Sequence, residues 1–344
     1  MKIAQVAPVW ERVPPRKYGG IELVVSLLTE ELVRQGHEVT LFATGDAKTK
    51  AKLSYVFHTA APRQYLGNPV PDLMHVGAAF HRADEFDIIQ NHAGYSGVTL
   101  ANFVKTPVLT TLHGIFTDIN TPFFKRNKNA CFYNSISDEQ RKPAPELNYI
   151  STIYNAIDTD SYPFEANKKD YFVYISRINK DKGSDVVIDI AKKAGVKLIM
   201  AGKIDPGRDT EFFEAHVHPK IDDKQIIYKG EISEKEKRKL FAEAKGFIFP
   251  LQWPEPFGLV IPEAMACGTP VISFPYGSLP ELVEDGKTGF IVKTNDEMVE
   301  AVKKIDQINP QDCRDHTVAR FGIARMTGDY LKAYEAIIKK VGKK

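Results

Sequence analysis

The sequence predicts an α/β protein built from two Rossmann-like, doubly wound parallel-sheet domains in tandem. Three observations predict it. The chain has 344 residues, more than one core comfortably organises and suited to two domains. Short apolar runs of strand length alternate with stretches of helical periodicity, the pattern of a parallel sheet with crossover helices. That alternation runs once, pauses at a polar, Pro-containing stretch at 158–170, and runs again.

The first series opens with the apolar run 3–6, followed by a loop, the helical pattern 21–33 and a second apolar run at 38–43. Runs at 86–89, 108–112 and 130–134 continue it, each ending in polar or glycine-containing residues. The second series has runs at 171–175, 197–201, 226–229, 246–250, 270–273 and 289–292. No sequence repeat relates the two series; only the pattern recurs.

Composition narrows the function. With 43% hydrophobic and 26% charged residues, and 23 glycines against 21 prolines, the chain reads as globular, neither disordered nor fibrous. The formal charge is +2, with sixteen basic and fourteen acidic side chains up to Asn155 and thirty of each beyond, so neither half is a polycation suited to nucleic acid. Cys131, Cys267 and Cys313 are odd in number and far apart, which points away from a disulfide framework or a zinc knuckle and towards a reducing cytoplasm. The first apolar run is too short for a signal-peptide core, and no run approaches the ~18 residues that span a bilayer.

Ligands of open α/β sheets bind beyond the carboxyl ends of the strands, so the residues after each run carry the functional reading. Gly19 and Gly20 stand before the first helix, where backbone amides and the helix dipole can meet an anion; the same pair also reads as a plain turn and cap. The chain has no GxGxxG, which weakens a nicotinamide dehydrogenase. After the first run of the second series come Arg177 and Lys182, a fork and a point charge suited to a diphosphate or, alternatively, a solvated charged loop. The richest stretch is EPFGLVIPEAMACGTPV, with Glu255 in a Pro/Gly loop and Glu263 expected about two turns along the helix that follows. Asp158-Thr159-Asp160 is a DxD, but it lies in the join with no clustered His or Glu, and Arg177 with Lys182 would supply the positive charge a metal would.

On these residues the chain resembles the retaining glycosyltransferases of family 4, which have the GT-B architecture. Glu255 and Glu263 stand at that family's Glu-seven residues-Glu spacing, Arg177 and Lys182 at its Arg/Lys loop, and Gly19 and Gly20 at its glycine loop. Thr111-Leu112-His113-Gly114, Tyr154-Asn155-Ala156-Ile157-Asp158 and Gly286-Lys287-Thr288-Gly289-Phe290 add to the match, which covers essentially the whole chain. It departs at Ser176, where the family often has Gly, and at Asn155-Ala156, where Asn-Gly is common.

The resemblance implies an N-terminal acceptor-binding domain at 1–157, joined by a C-terminal helix at about 325–344, and a nucleotide-sugar-binding domain at 158–324. It implies that Glu263 holds the ribose hydroxyls, Glu255 the donor sugar, and the amides of Phe257, Gly258 and Leu259 the sugar and phosphates. Arg177, Lys182 and Gly20 would neutralise the diphosphate, and His113 would contact the transferred sugar near the reacting carbon. His92 and Tyr18 are placed on the acceptor side. No metal or other cofactor is implied; the donor would be of UDP or GDP type and the acceptor a hydroxyl compound. The mix of aromatics and cations in Phe123-Phe124-Lys125-Arg126-Asn127-Lys128 reads either as a peripheral membrane contact or as an ordinary helix edge. A sugar-nucleotide epimerase and a catalytically silent nucleotide-sugar binder are the alternatives.

Overall fold

The computed structural model describes residues 1–16 and 19–342. Their described contacts divide the chain into two units, Met1–Ile157 with Ile323–Lys344, and Asp158–Gly322.

The first unit carries β1 (Lys2–Val6), β2 (Glu38–Phe42), β3 (Lys52–Ser54), β4 (Ile88–Asn91), β5 (Val108–Thr111), β6 (Phe132–Ser135) and β7 (Tyr149–Thr152). They form one sheet in the order β3-β2-β1-β4-β5-β6-β7, and every pairing is parallel. Ile3 pairs with Val39 on one side and Ile88 on the other, and Ile3, Ala4, Gln5 and Val6, which point alternately to the two faces, are all buried, so both faces of β1 are covered. Such a strand reads as continuous apolar sequence, which is why 3–6 is legible. The helix Gly20–Arg34 buries Val24, Val25, Leu28 and Leu32, spaced three and four apart along one stripe. Val6, Phe42, Val76, Ile89, Leu112 and Tyr133 share the core on one side of the sheet. Val13, Val25 and Leu41 pack on the other.

The second unit carries β8 (Lys169–Ile175), β9 (Leu198–Ala201), β10 (Ile226–Tyr228), β11 (Ala244–Phe249), β12 (Val271–Ser273) and β13 (Gly289–Ile291), again all parallel, in the order β10-β9-β8-β11-β12-β13. Phe241, Phe247 and Phe249 stack in its core with ring centroids 5.3 to 5.4 Å apart. The GT-B layout expected from the sequence is present: two parallel-strand α/β sheets. In each, the order reverses beside the first strand, between β1 and β4 and between β8 and β11, which is where such folds bind ligands.

Three local features differ from the sequence reading. The edge strands β3 and β7 leave no apolar run because their residues are mostly half-exposed. Strand β4 lies two residues later than the run 86–89: Gln90 and Asn91 stay in the strand, buried, with their side-chain amide nitrogens donating to Thr111 and Thr110 at 2.8 and 3.2 Å. The last helix, Ile323–Val341, starts two residues before the expected 325, directly after Gly322, while Arg320 and Phe321 end the preceding helix in the second unit, where Phe321 packs edge-on against Phe257.

Candidate functional site

In the second unit, β8 ends in a loop that Tyr174 closes from beneath, its hydroxyl 2.7 Å from Ser184 Oγ. Gly183 has φ 72° and opens the helix Ser184–Ala194; a Cβ there would lie 2.1 Å from the Pro250 carbonyl oxygen. Only glycine lets the β8 loop press so close to the end of β11. That approach delivers Lys182 to Glu255, with which it forms a close ion pair. Glu255 also accepts a hydrogen bond from Trp253 Nε1 at 2.8 Å, and the Lys182 ammonium lies 5.2 Å from the indole centroid. Arg177 is held by acidic groups as well, with Nη1 3.2 Å from Asp205 and Nε 3.5 Å from the buried Asp209.

Phe257, Gly258 and Leu259 lead into the helix Val260–Ala266, with Gly258 at φ 82° and the Phe257 ring buried. Glu263 is the fourth residue of that helix and lies in its first turn, not two turns along, because the helix begins only at Val260. Its carboxylate, 6% exposed, pairs with Lys237 Nζ at 2.9 Å, and Lys237 also meets Glu234 at 3.0 Å. These acidic neighbours raise the Lys237 pKa against the opposing effect of burial. Tyr162 bonds to Glu263 as well; burial, with that carboxylate alongside, pushes its phenol pKa up.

In the first unit, Gly19 and Gly20 open the helix after β1; a Cβ on Gly19 would meet Pro15 at 2.7 Å and the Glu22 carboxylate at 3.0 Å. Tyr18 lies outside the described residues. His113 follows β5 and His92 follows β4, and the rings stack with His92 Nδ1 2.9 Å from His113 Nε2. His92 was expected to line the acceptor side. It is buried, and its other nitrogen lies 3.2 Å from Gln5 Oε1, so both ring nitrogens have partners within the protein. Burial lowers the pKa of both rings, that of His113 to about 4.

The segment 123–128, read either as a peripheral membrane contact or as an ordinary helix edge, forms a short helix and the turn after it. Phe124 is buried against Tyr95, Phe116 and Tyr133, and Phe123 packs on Tyr95, which leaves Lys125, Arg126 and Lys128 facing outward without their aromatics. Asp158 precedes the short turn Thr159–Ser161 and Asp160 lies within it, and among the described residues no group of three His, Cys, Asp or Glu side chains could hold a metal ion. No described helix is long and apolar enough to cross a membrane. All three cysteines are buried and unbridged, with the thiols of Cys267 and Cys313 pushed up to about 12 by burial.

The sequence reading missed Lys237, Trp253, Asp205, Asp209 and Gln5. Lys237 sits in the run Glu234-Lys235-Glu236-Lys237-Arg238-Lys239, which reads as a solvated face; its helix instead packs on that of Glu263. Trp253, two residues before Glu255 in a Pro-rich loop, was the one visible clue.

The family comparisons agree with this geometry. Residues 158–317 match the model of Glycosyl transferases group 1, and residues 18–161 match that of Glycosyltransferase Family 4. Between them the two matches run from residue 18 to 317, and together they support a glycosyltransferase of the family-4 type. An uncharacterized 41.2 kDa protein in the cps region of Klebsiella pneumoniae is 29% identical over 298 residues, covering 74% of this chain and 80% of its own. The sucrose-phosphate synthase of Thermosynechococcus elongatus shares the fold with a TM-score of 0.82 at 19% identity, over 99% of this chain and 100% of that one. Anabaena Alr3699/HepE, solved in complex with UDP and glucose, does so with a TM-score of 0.73 at 20% identity, over 98% and 100%.

Proposed function

We propose that the protein is a retaining, metal-independent glycosyltransferase that moves a hexose from a UDP- or GDP-type nucleotide sugar to a hydroxyl acceptor. One observation carries this reading: Arg177 and Lys182 after β8, and Glu255 after β11, gather where the strand order reverses, with each cation resting on a carboxylate. A diphosphate is the kind of ligand that would take the place of those carboxylates on a guanidinium and an ammonium. The UDP bound by Alr3699/HepE supports a uridine donor.

Glu255 is assigned the hydroxyls of the donor sugar and Glu263 those of the ribose. Arg177 and Lys182 stabilise the charge that grows on the β-phosphate as the glycosidic bond lengthens. The acceptor hydroxyl attacks from the face the phosphate is leaving and passes its proton to that phosphate, so the anomeric configuration is kept and no protein base is needed. His113 holds the transferred sugar. The first unit is assigned the acceptor and the second the donor.

The test is a thermal-shift panel of UDP, GDP, UDP-glucose and GDP-mannose with and without chelator, followed by NMR assignment of the product anomer. A matching ligand at 100 times its dissociation constant stabilises the protein by about 2.7 kcal/mol. Stabilisation by none of them, or a product of inverted configuration, would refute the proposal.

A further inference from the structure

His92 and His113 end a line of polar groups that crosses the first unit. Gln5 in β1 turns its amide nitrogen to the Tyr334 hydroxyl at 3.4 Å and its amide oxygen to His92 Nε2 at 3.2 Å. An amide oxygen only accepts, so His92 carries its proton on Nε2. A neutral imidazole has a single N–H, which leaves His92 Nδ1 as an acceptor. The atom 2.9 Å from it is His113 Nε2, which therefore donates, and His113 Nδ1 is left with a lone pair and no donor among the described residues. Burial favours the neutral form of both rings, and their neighbours on this line, Gln5, Tyr330 and Tyr334, are all uncharged.

The line is anchored at its base. Tyr330 and Tyr334 are four residues apart on one face of the helix Ile323–Val341, and both are fully buried. The Tyr330 hydroxyl lies 2.9 Å from Thr111 Oγ1, two residues before His113. Thr111 also donates to Asn134 at 2.8 Å and accepts from Gln90 at 2.8 Å, so the ends of β4, β5 and β6 are tied to one another and to this helix.

We propose that His92 is a positioning residue which, backed by Gln5 and Tyr334, fixes His113 as the Nε2–H tautomer and so presents His113 to the ligand as a hydrogen-bond acceptor through Nδ1. The partner this suits is a sugar hydroxyl, which donates its hydrogen to Nδ1; an anionic oxygen has none to give. That assignment of the ligand rests on the glycosyltransferase reading above, whereas the tautomer does not.

The test is the pattern of long-range 1H–15N correlations from the histidine rings of the whole, 15N-labelled protein at pH 7. His92 and His113 are assigned from the signals lost in His92→Asn and His113→Asn. Both rings are expected to be neutral, with the proton on Nε2. In His92→Asn the Oδ1 atom can stand in for Nδ1, so His113 keeps its tautomer; in His92→Leu no acceptor remains, and His113 becomes a mixture of both. A wild-type His113 with its proton on Nδ1, a charged ring, or a His92→Leu spectrum in which His113 is unchanged would overturn the proposal. The wild-type spectrum decides the tautomer even if His92→Leu fails to fold. It needs no donor, so a negative nucleotide panel would remove the enzymatic reading and leave the tautomer result standing.

Discussion

Glu263 and Lys237 pose the sharpest question for single side chains, because their ion pair is mostly withdrawn from water, at 6% and 16% exposure. Removing one partner from such a pair strands the other, at a cost of about 3–5 kcal/mol, with the low end suited to a lysine that still meets Glu234. Lys237→Met should therefore lower the melting temperature, and adding Glu263→Gln should restore part of the loss. Glu263→Gln alone should weaken nucleotide binding by about 1.5–3 kcal/mol through a lost charge-assisted hydrogen bond, measured by titration calorimetry. Equal melting temperatures for the single and double variants would argue against the pairing. For the cations, Lys182→Ala should reduce kcat by a factor on the order of 10²–10³ while donor affinity falls less, because the phosphate charge grows along the reaction. Arg177→Ala needs Asp209→Asn beside it, since Asp209 is buried and would otherwise lose its cation. His113 adds a pH dependence. Its pKa falls from 6.5 to about 4 on folding, so between those values the unfolded chain binds more protons than the folded one. This contribution to stability is intact above pH 6.5 and is lost as the pH drops through that window to about 4. The fall in melting temperature from pH 6.5 to 4.5 should accordingly be shallower in His113→Asn than in wild type.

At the scale of elements, what could be read from the sequence was the apolar strands, the half-exposed edge strands β10 and β13 included. Strands β1, β8, β9, β11 and β12 are flanked by neighbours and announce themselves as apolar runs. The edge strands β3 and β7, and the polar end of β4, obey pairing and hydrogen bonding that periodicity does not encode. The same division holds for the site. Glu255, Glu263, Arg177 and Lys182 lie after apolar runs at a recognisable spacing, while Lys237 is disguised by a charged helix and Gln5 by its place inside a strand. Partners of that kind are set by packing between elements distant in the chain. The helix Ile323–Val341 makes the point most strongly, because it packs against the helix Gly20–Arg34 at the other end of the sequence. Tyr330→Ala should cost about 3–5 kcal/mol, as for other large buried aromatics, and this should appear in calorimetry as a lower transition temperature for the first unit. Unfolding of both units at an unchanged temperature would show that the helix contributes little.

At the scale of the whole molecule, each unit has its own sheet and core, and the chain passes from one to the other twice, at residues 157/158 and 322/323. On the proposed reading Arg177 and Lys182 supply the positive charge, so chelator should leave transfer largely intact; activity lost to chelator and restored by a divalent ion would contradict this. The two passages have a further consequence. Arg325, three residues into the first unit on the return, donates to the carbonyl oxygens of Tyr154 and Asn155 at 2.6 and 3.4 Å, just before the outgoing passage. In the first unit the two cut points are therefore neighbours, and the second unit is topologically an insert in the first. A short linker from Ile157 to Ile323 would close the first unit without its guest, and the same two junctions would accept the corresponding segment of a relative. On the proposed division of donor and acceptor between the units, their preferences would then be exchanged as cassettes, with the loop closure changing by only about 0.6 kcal/mol per doubling of linker length.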